Sequence, residues 1–244
     1  MGDPLQEGLH GVTLLRASRG RFASGPVHSP AVLERLHLIR HGEVANPDAV
    51  VYAALPGFGL SPLGRAQAGQ AARRLASSRV GLVVSSPLDR AVATAEPIAA
   101  GLAVPLRVDD RLIEWRLADR WAGVAWADLP ERFPGEVEAY LATPADLPFS
   151  AESIQEVARR MAEVVTDLDR EDLAEAVVVS HQDPVQALRF VLTGRDLASL
   201  GYDQPGHATM VTLRRAGAGW TEEAIWSPPV TSPAFPPIAG GDAT

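Results

Sequence analysis

Short hydrophobic runs alternate with longer amphipathic stretches along most of the chain. Six runs have the length and the β-branched content of strands, and they are RLHLIR, VGLVVSS, VPLRVDD, AVVVSH, TMVTLRR and TEEAIW. Segments with helical patterns separate several of them. Strands that alternate with helices in this way predict an α/β sheet.

Four helices are expected between the strands. Two begin at Ser61-Pro62 and Ser86-Pro87, where an N-cap residue precedes proline, and they extend to about residues 78 and 100. A third helix, from about residue 150 to residue 172, has apolar side chains at three- and four-residue spacing and opens with the capping-box pattern SIQE. The fourth follows Pro184 and extends to about residue 192.

The two ends of the chain differ in composition from its middle. Residues 1–32 are rich in Gly, Pro, Ser and Arg without periodicity, and we expect a loose N-terminal extension there. Residues 227–244 are dense in Pro and Gly, which predicts a disordered tail. One domain then covers residues 33–226, and its segment at about 112–149, rich in aromatic residues, prolines and acids, is expected to form a partly irregular cap.

Composition and charge narrow the class of protein. A net charge of −8 and a pI near 5.3 argue against a general affinity for nucleic acid or anionic membranes. The absence of cysteine excludes disulfides, thiolate catalysis and cysteine-bound metal. No apolar run approaches the roughly 18 residues of a membrane span, and the first residues lack the pattern of a signal peptide. We therefore expect a cytoplasmic protein whose cationic sites are local.

Polar side chains follow four of the predicted strands and the segments next to them. These are Arg40-His41, the segment from Ser86 to Arg90, Glu114 and His181. In open α/β sheets, ligands bind at the carboxyl ends of the strands, so one pocket can hold all four groups.

These residue types suit a phosphoryl group. Arginine presents a planar fork of donors that matches phosphate oxygens, and imidazole adds hydrogen bonds or a nucleophile. A phosphomonoester is mostly a dianion at pH 7, so two guanidinium groups would neutralise it. Gly42 permits close approach of the backbone, and a helix that begins at Ser86 would add a favourable dipole for an anion.

The motifs LIRHGEV, SSPLDRAVATAEPIA, RLIE and VVVSHQ, in this order, resemble the histidine phosphatase superfamily, the phosphoglycerate mutase-like or RHG proteins. The resemblance covers about residues 36–214, and LSPLGRAQA and AESIQEVARRM are similar to secondary patterns of the family. It implies a three-layer α/β/α sandwich with a mostly parallel central sheet. It also implies a broad-specificity phosphatase that needs no metal or cofactor and acts on a small phosphorylated metabolite.

The resemblance implies a role for each matching residue. His41 would attack phosphorus and become a phosphohistidine, which water then hydrolyses. Arg40, Arg90 and His181 would hold the phosphoryl oxygens and stabilise charge in the transition state. Glu114 would protonate the departing alcohol and later activate water.

Further phosphate contacts are expected from Asn46, Ser61 and Gln182, although the sequence departs from the family at some of these positions. Gln182 stands where the commoner pattern has glycine after the second histidine, so a side chain there would narrow the pocket. Asn46 lies five residues beyond His41 instead of six. The run EWRLADRWAGV matches only loosely the family motif that follows the acid, which indicates a remodelled cap.

Two other functions stay open. A phosphoglycerate mutase-type transferase would need a second phosphate site, for which the cap offers Arg111, Arg116, Arg120 and Arg132. A non-catalytic member would bind a phosphorylated ligand or a protein partner without turnover, as Gln182 and the altered cap suggest. A serine hydrolase is excluded because no Gly-x-Ser-x-Gly elbow is present. The oligomeric state is open.

Several side chains also have alternative interpretations. Glu43 competes with Glu114 as the proton donor. His37 lies four residues before His41 on the same face of a strand, so a metal pair is conceivable. For His207 we favour a histidine in a turn over a residue of the pocket. For the tryptophans between residues 115 and 126 we favour the core of the cap over a stack against a ligand.

Overall fold

The computed structural model of this protein describes residues 32–229. The expected N-terminal extension and C-terminal tail lie almost entirely outside these residues. Within residues 32–229, no helix is long and apolar enough to cross a bilayer.

A six-stranded sheet forms the centre of the fold, and its strands match the six hydrophobic runs. The strands are β1 (Arg35–Arg40), β2 (Val80–Ser85), β3 (Leu106–Val108), β4 (Glu175–Ser180), β5 (Met210–Ala216) and β6 (Gly219–Trp226). Their order across the sheet is β3-β2-β4-β1-β5-β6. The first four strands in that order are parallel, whereas β5 and β6 run antiparallel to their neighbours. The sheet is therefore mixed, with a parallel centre and an antiparallel edge.

Seven α-helices surround the sheet in the described residues. They are α1 (Pro62–Leu75), α2 (Asp89–Leu102), α3 (Leu117–Arg120), α4 (Leu129–Arg132), α5 (Glu136–Ala142), α6 (Ile154–Leu168) and α7 (Gln182–Thr193). Short 3-10 turns lie at Asp110–Leu112, Trp126–Asp128 and Leu197–Ser199.

Helices cover both faces of the sheet, which confirms the α/β sandwich. Side chains of one face, including Ile39 and Val83, pack in a cluster with residues of α1 and α2. Leu36 and Leu38 point to the other face and join a larger cluster with residues of α6, α7 and the cap. Strands buried on both faces are apolar throughout, which explains the nearly continuous hydrophobic runs of β1 and β4.

The helix starts agree only in part with the prediction. Ser61 caps α1, because its Oγ accepts a hydrogen bond from the Gly64 backbone N–H. The capping box of α6 is confirmed at Ser153. The predicted start at Ser86 is wrong: α2 begins at Asp89 and lacks a side-chain cap. Ser86 is fully buried at the end of β2, and its hydroxyl faces an imidazole instead of the first turn of the helix.

The cap between β3 and α6 is partly irregular, as expected. It contains the short helices α3, α4 and α5 and two 3-10 turns, and its aromatic residues are buried or partly buried. Trp115 and Trp121 are 1% and 2% exposed, and both rings pack near Tyr140. These tryptophans therefore form the core of the cap and hold it against α6 and the sheet.

Candidate active site

The loop after β1 packs directly on the first turn of α1. A Cβ atom on Gly42 would lie 2.6 Å from the Gly64 carbonyl oxygen, and one on Gly64 would lie 2.0 Å from the Glu43 carbonyl oxygen. No side chain fits between these two backbones. The contact fixes the position of His41, whose own N–H donates to the Ser180 carbonyl at the end of β4.

Gly64→Ala is therefore expected to reduce both turnover at this site and thermal stability, because the new methyl group must displace the Glu43 backbone next to His41. Gly69→Ala in the same helix is the matched control, since its Cβ would meet only the flexible end of Arg73 at 3.6 Å. Alanine at position 69 should raise stability by about 0.5–1 kcal/mol and leave turnover unchanged. Thermal unfolding and steady-state kinetics of both variants check this. Equal behaviour of the two variants would show that the close backbone contact has no role.

His41 is buried, and its two ring nitrogens differ in their contacts. Its side chain is 1% exposed, and its Nδ1 donates to the Gly42 carbonyl oxygen at 2.7 Å. The lone pair therefore resides on Nε2. Burial, supported by the charge of Arg90, holds the pKa of His41 well below its usual value of 6.5. At neutral pH the residue has the protonation state of a nucleophile.

Arg90 lies in the first turn of α2 and reaches the reactive nitrogen of His41. Its Nε is 3.2 Å from His41 Nε2, and its Nη2 donates to the Ala53 carbonyl at 2.8 Å. The guanidinium also lies 4.7 Å from the ring centre of Tyr52. Thr94 fixes the helix, because its hydroxyl accepts from Gly42 N–H and donates to the Arg90 carbonyl. A fixed positive charge thus lies beside His41 Nε2.

Arg40 supplies the second guanidinium, at the end of β1. Its Nη1 donates to the Pro205 carbonyl at 3.0 Å and to Gln182 Oε1, and its Nη2 lies 3.1 Å from His207 Nε2. Its Nε is buried without a hydrogen-bond partner among the described residues. A buried donor of this kind is suited to an anionic ligand.

His207 lies in the pocket, whereas the sequence favoured a turn histidine outside it. Its ring centre is 5.7 Å from that of His41, and burial lowers its pKa to about 3. Its position could have been predicted only from the pairing of β5 with β1. Met210 pairs with Ile39, so the residues before β5 lie at the carboxyl end of β1.

His181 completes the ring of polar groups at the end of β4. It is fully buried, and its ring centre lies 5.2 Å from that of His41. Its Nε2 is 2.7 Å from Ser86 Oγ, whereas its Nδ1 has no hydrogen-bond partner among the described residues. With the Ser86 hydroxyl as donor, the ring proton resides on Nδ1, where it can bind an oxygen of the ligand. Burial and the charge of Arg90 hold the pKa of His181 well below 6.5.

Glu114 is the carboxyl group next to this histidine. Its Oε2 lies 3.9 Å from His181 Nδ1, and its Oε1 accepts from the Trp115 N–H at 2.8 Å. Burial raises the pKa of Glu114 above its usual value of 4.5, although the charge of Arg90 opposes this shift. The environment therefore favours a protonated carboxyl group, which can act as a general acid.

Arg160 of α6 holds the segment that carries Glu114, although no motif in the sequence marks this arginine. Its guanidinium donates to the backbone carbonyls of Arg111, Ile113 and Glu114 at 2.6, 2.7 and 3.2 Å. It is also paired with Glu152 at 2.7 Å. One side chain thus replaces the backbone bonds that this irregular segment lacks.

Asn46, Ser61 and Glu43 belong to the loop between β1 and α1. Asn46 bonds both backbone groups of Val50, at 2.8 and 3.2 Å, and so closes a turn. Ser61 caps α1 and donates to Glu43 Oε1 at 2.8 Å. Glu43 thus contacts a capping hydroxyl, whereas Glu114 faces His181, and this favours Glu114 as the acid. Phosphate contacts by Asn46 and Ser61 stay predictions.

His37 lies apart from this cluster. Its ring nitrogens are 3.0 Å from Thr212 Oγ1 and 3.3 Å from Glu175 Oε2. Within residues 32–229, no group of three or more side chains is arranged to hold a metal ion. The ring of His37 thus contacts side chains of β5 and β4, and His37 and His41 do not form a metal-binding pair.

The arrangement forms a pocket suited to an anion. Two guanidinium groups and the imidazoles of His41 and His181 converge at the carboxyl ends of β1 and β4, with the Glu114 carboxyl group at one side. Positive charge, a candidate nucleophile and a candidate acid are the groups that phosphoryl transfer uses.

Comparisons with known sequences and structures agree with a site for phosphoryl transfer. Residues 36–227 match the profile of the histidine phosphatase superfamily (branch 1). The chain belongs to this superfamily, as its motifs indicated.

Relatives of the chain include phosphatases. An uncharacterized protein of Mycobacterium tuberculosis is 40% identical over 67% of this chain and 80% of its own length. A putative phosphoserine phosphatase of Hydrogenobacter thermophilus is 28% identical over 69% of this chain and 83% of its own. A mycobacterial glucosyl-3-phosphoglycerate phosphatase, solved with VO3, superposes with a TM-score of 0.71 at 29% identity, over 80% of this chain and 98% of the other.

Proposed function

We propose that the protein is a metal-independent phosphomonoester hydrolase that works through a phosphohistidine on His41. The observation that carries this proposal is the geometry at His41 Nε2. This unprotonated nitrogen accepts a hydrogen bond from Arg90 Nε at 3.2 Å, and it belongs to a ring 5.2 Å from that of His181. A phosphoryl group that enters here replaces the contact between His41 and Arg90 and takes hydrogen bonds from the positive groups around it.

The chemistry has two steps. In the first, a bond forms between His41 Nε2 and phosphorus while the bond from phosphorus to the alcohol oxygen breaks, and Glu114 gives its proton to that oxygen. Arg40, Arg90 and His181 bind the three remaining oxygens. In the second step, water attacks phosphorus, Glu114 takes a proton from the water, and inorganic phosphate leaves neutral His41 behind.

The cap favours a phosphatase over a mutase. A mutase needs a second site for a phosphate, yet three of the four cap arginines are bound to carboxylates. Arg111 pairs with Asp109 and Asp167, Arg116 with Asp119, and Arg120 with Glu136. We propose that a small phosphorylated metabolite binds with its phosphoryl group at His41 and its alcohol under the cap.

Hydrolysis of a generic aryl phosphate in excess chelator tests the proposed function. We expect turnover that survives the chelator, because the described side chains supply both the nucleophile and the charge stabilisation. Loss of turnover with the chelator, restored by a divalent ion, would contradict the metal-free mechanism. A folded protein that binds inorganic phosphate but turns over no phosphomonoester would instead be a non-catalytic member.

Activity is expected to follow a bell-shaped dependence on pH. Protonation of His41 removes the lone pair, and because the pKa of His41 lies well below 6.5, the acid limb should also lie well below 6.5. Ionisation of Glu114 removes the proton for the leaving group, and because its pKa is raised, the alkaline limb should lie above 4.5. Measurement of kcat/KM between about pH 4 and pH 9 checks both limbs. Glu114→Gln should abolish the alkaline limb, and a flat wild-type profile would contradict both roles.

A further inference from the structure

Asp183 is a half-buried carboxylate beside the pocket that the proposed mechanism does not use. It lies in the first turn of α7, two residues after His181. The hydroxyl of Tyr140, from the cap, lies 3.1 and 3.2 Å from its two carboxyl oxygens, and Gln204 Nε2 lies 3.5 Å from Oδ1. Both of these hydrogen-bond partners are neutral groups.

A chain of hydrogen bonds connects Asp183 to the phosphate-binding side of the pocket. Arg40 Nη1 donates to Gln182 Oε1, and Gln182 Nε2 donates to Gln204 Oε1 at 2.9 Å. Gln204 in turn reaches Asp183. Asp183 therefore lies between the phosphate-binding residues and Tyr140 of the cap, and a substrate whose alcohol enters under the cap would bring that alcohol towards it.

The electrostatic surroundings of Asp183 are unfavourable for a second anion. Burial and the nearby Glu114 raise the pKa of Asp183 to about 7, while Tyr140, Arg40 and Gln182 act in the opposite direction. Since Glu114 is the protonated acid of the proposed mechanism, the negative charge that an anionic substituent on the alcohol would approach is that of the Asp183 carboxylate. The positive charge that acts on Asp183 is Arg40, which the phosphoryl group needs.

We propose that Asp183 is a specificity-determining residue that excludes phosphomonoesters with a carboxylate on the alcohol close to the phosphoryl group. The substrate class is then a phosphate ester of an alcohol that lacks a carboxylate. This inference rests on the proposed function, because it places the alcohol under the cap. It separates this chain from relatives named for phosphoserine and glucosyl-3-phosphoglycerate, since both of those compounds carry a carboxylate.

Glycerol 3-phosphate and 3-phosphoglycerate form a matched pair of ligands for the test. They differ only at the far carbon, which carries a hydroxymethyl group in the first and a carboxylate in the second. Calorimetry on the His41→Ala protein measures the two Kd values without turnover. At pH 8, where Asp183 is mostly ionised, glycerol 3-phosphate should bind at least about tenfold more tightly, because like charges that face each other cost several kcal/mol.

Asp183→Asn in the same background should reduce this preference by at least about fivefold, since the amide keeps the shape and removes the charge. Asp196→Asn removes the same charge at the start of the 3-10 turn Leu197–Ser199 and should leave the preference unchanged. If Asp183→Asn does not fold, Asp183→Ser replaces it.

Three results would overturn the proposal: equal or tighter binding of 3-phosphoglycerate, a preference that Asp183→Asn leaves unchanged, or no binding of glycerol 3-phosphate at millimolar concentration. Failure of the proposed function has a separate sign. It is the absence of aryl phosphate turnover by the wild-type protein, which the binding measurement does not need.

Discussion

His41→Ala is expected to reduce turnover of an aryl phosphate by a factor of about 10⁴ or more, because the covalent route depends on one atom. The variant keeps Arg40, Arg90 and His181, so phosphate can still bind, but no nucleophile remains at the base of the pocket. Water would have to attack phosphorus directly in a site arranged for a ring nitrogen. KM should therefore change much less than kcat.

His37→Ala is the matched control for this variant. Both histidines belong to the β1 segment and both are buried, at 6% and 1% exposure, but His37 contacts Thr212 and Glu175. A folded His37→Ala protein should retain wild-type kcat even where its melting temperature is lower. Retained turnover in His41→Ala, or an equal loss in both variants, would contradict the assigned nucleophile.

Arg90→Ala should reduce kcat by a factor of about 10³, since arginines that neutralise a transferring phosphoryl group contribute about 10³ to 10⁵. The guanidinium lies beside His41 Nε2 and is 2% exposed, so its charge acts where solvent is excluded. Removal also leaves the Ala53 carbonyl without its donor, which affects the loop that carries Tyr52.

Arg90→Lys separates the contribution of the positive charge from that of the guanidinium geometry. Thermal unfolding of both variants shows whether a loss of kcat reflects a loss of fold instead. Lysine keeps the positive charge, but its single ammonium group cannot contact the Ala53 carbonyl while it also binds His41 or the phosphate. We therefore expect the kcat of Arg90→Lys to lie between those of Arg90→Ala and the wild type. The affinity for inorganic phosphate should fall in the order wild type, Arg90→Lys, Arg90→Ala. A folded Arg90→Ala protein with wild-type kcat would place the phosphate site elsewhere.

Much of the fold follows from local patterns in the sequence. Buried strands such as β1 and β4 are continuous apolar runs, and the Ser61 and Ser153 caps have strong local signatures. The strand ends then placed Arg40-His41 and His181 at one edge of the sheet. The pocket formed by these residues could be predicted because parallel strands end on the same side.

Other features depend on contacts between distant segments. Ser86 looks like a helix cap in the sequence, yet its hydroxyl contacts His181, which is 95 residues away. A cap is a local preference of about 1 kcal/mol, and a buried imidazole that needs a partner outweighs it. Similarly, His207 enters the pocket only because β5 pairs with β1, and a hydrophobic pattern does not specify which strands become neighbours.

Irregular backbone was the hardest part to predict. The segment with Glu114 has few backbone hydrogen bonds of its own, and Arg160 supplies them from α6, about 46 residues further along the chain. An arginine on an amphipathic helix resembles an exposed charge in the sequence. Its role becomes visible only when the carbonyls of the segment are located.

If His41 carries the phosphoryl group during turnover, the phosphorylated protein can be trapped. Wild-type protein is mixed with an aryl phosphate labelled in its phosphoryl group, quenched in alkali within one turnover, and digested. We expect label on the peptide that contains His41, stable to alkali and lost in acid, and no label in His41→Ala. Turnover without any labelled peptide, or label on a different residue, would contradict this role of His41.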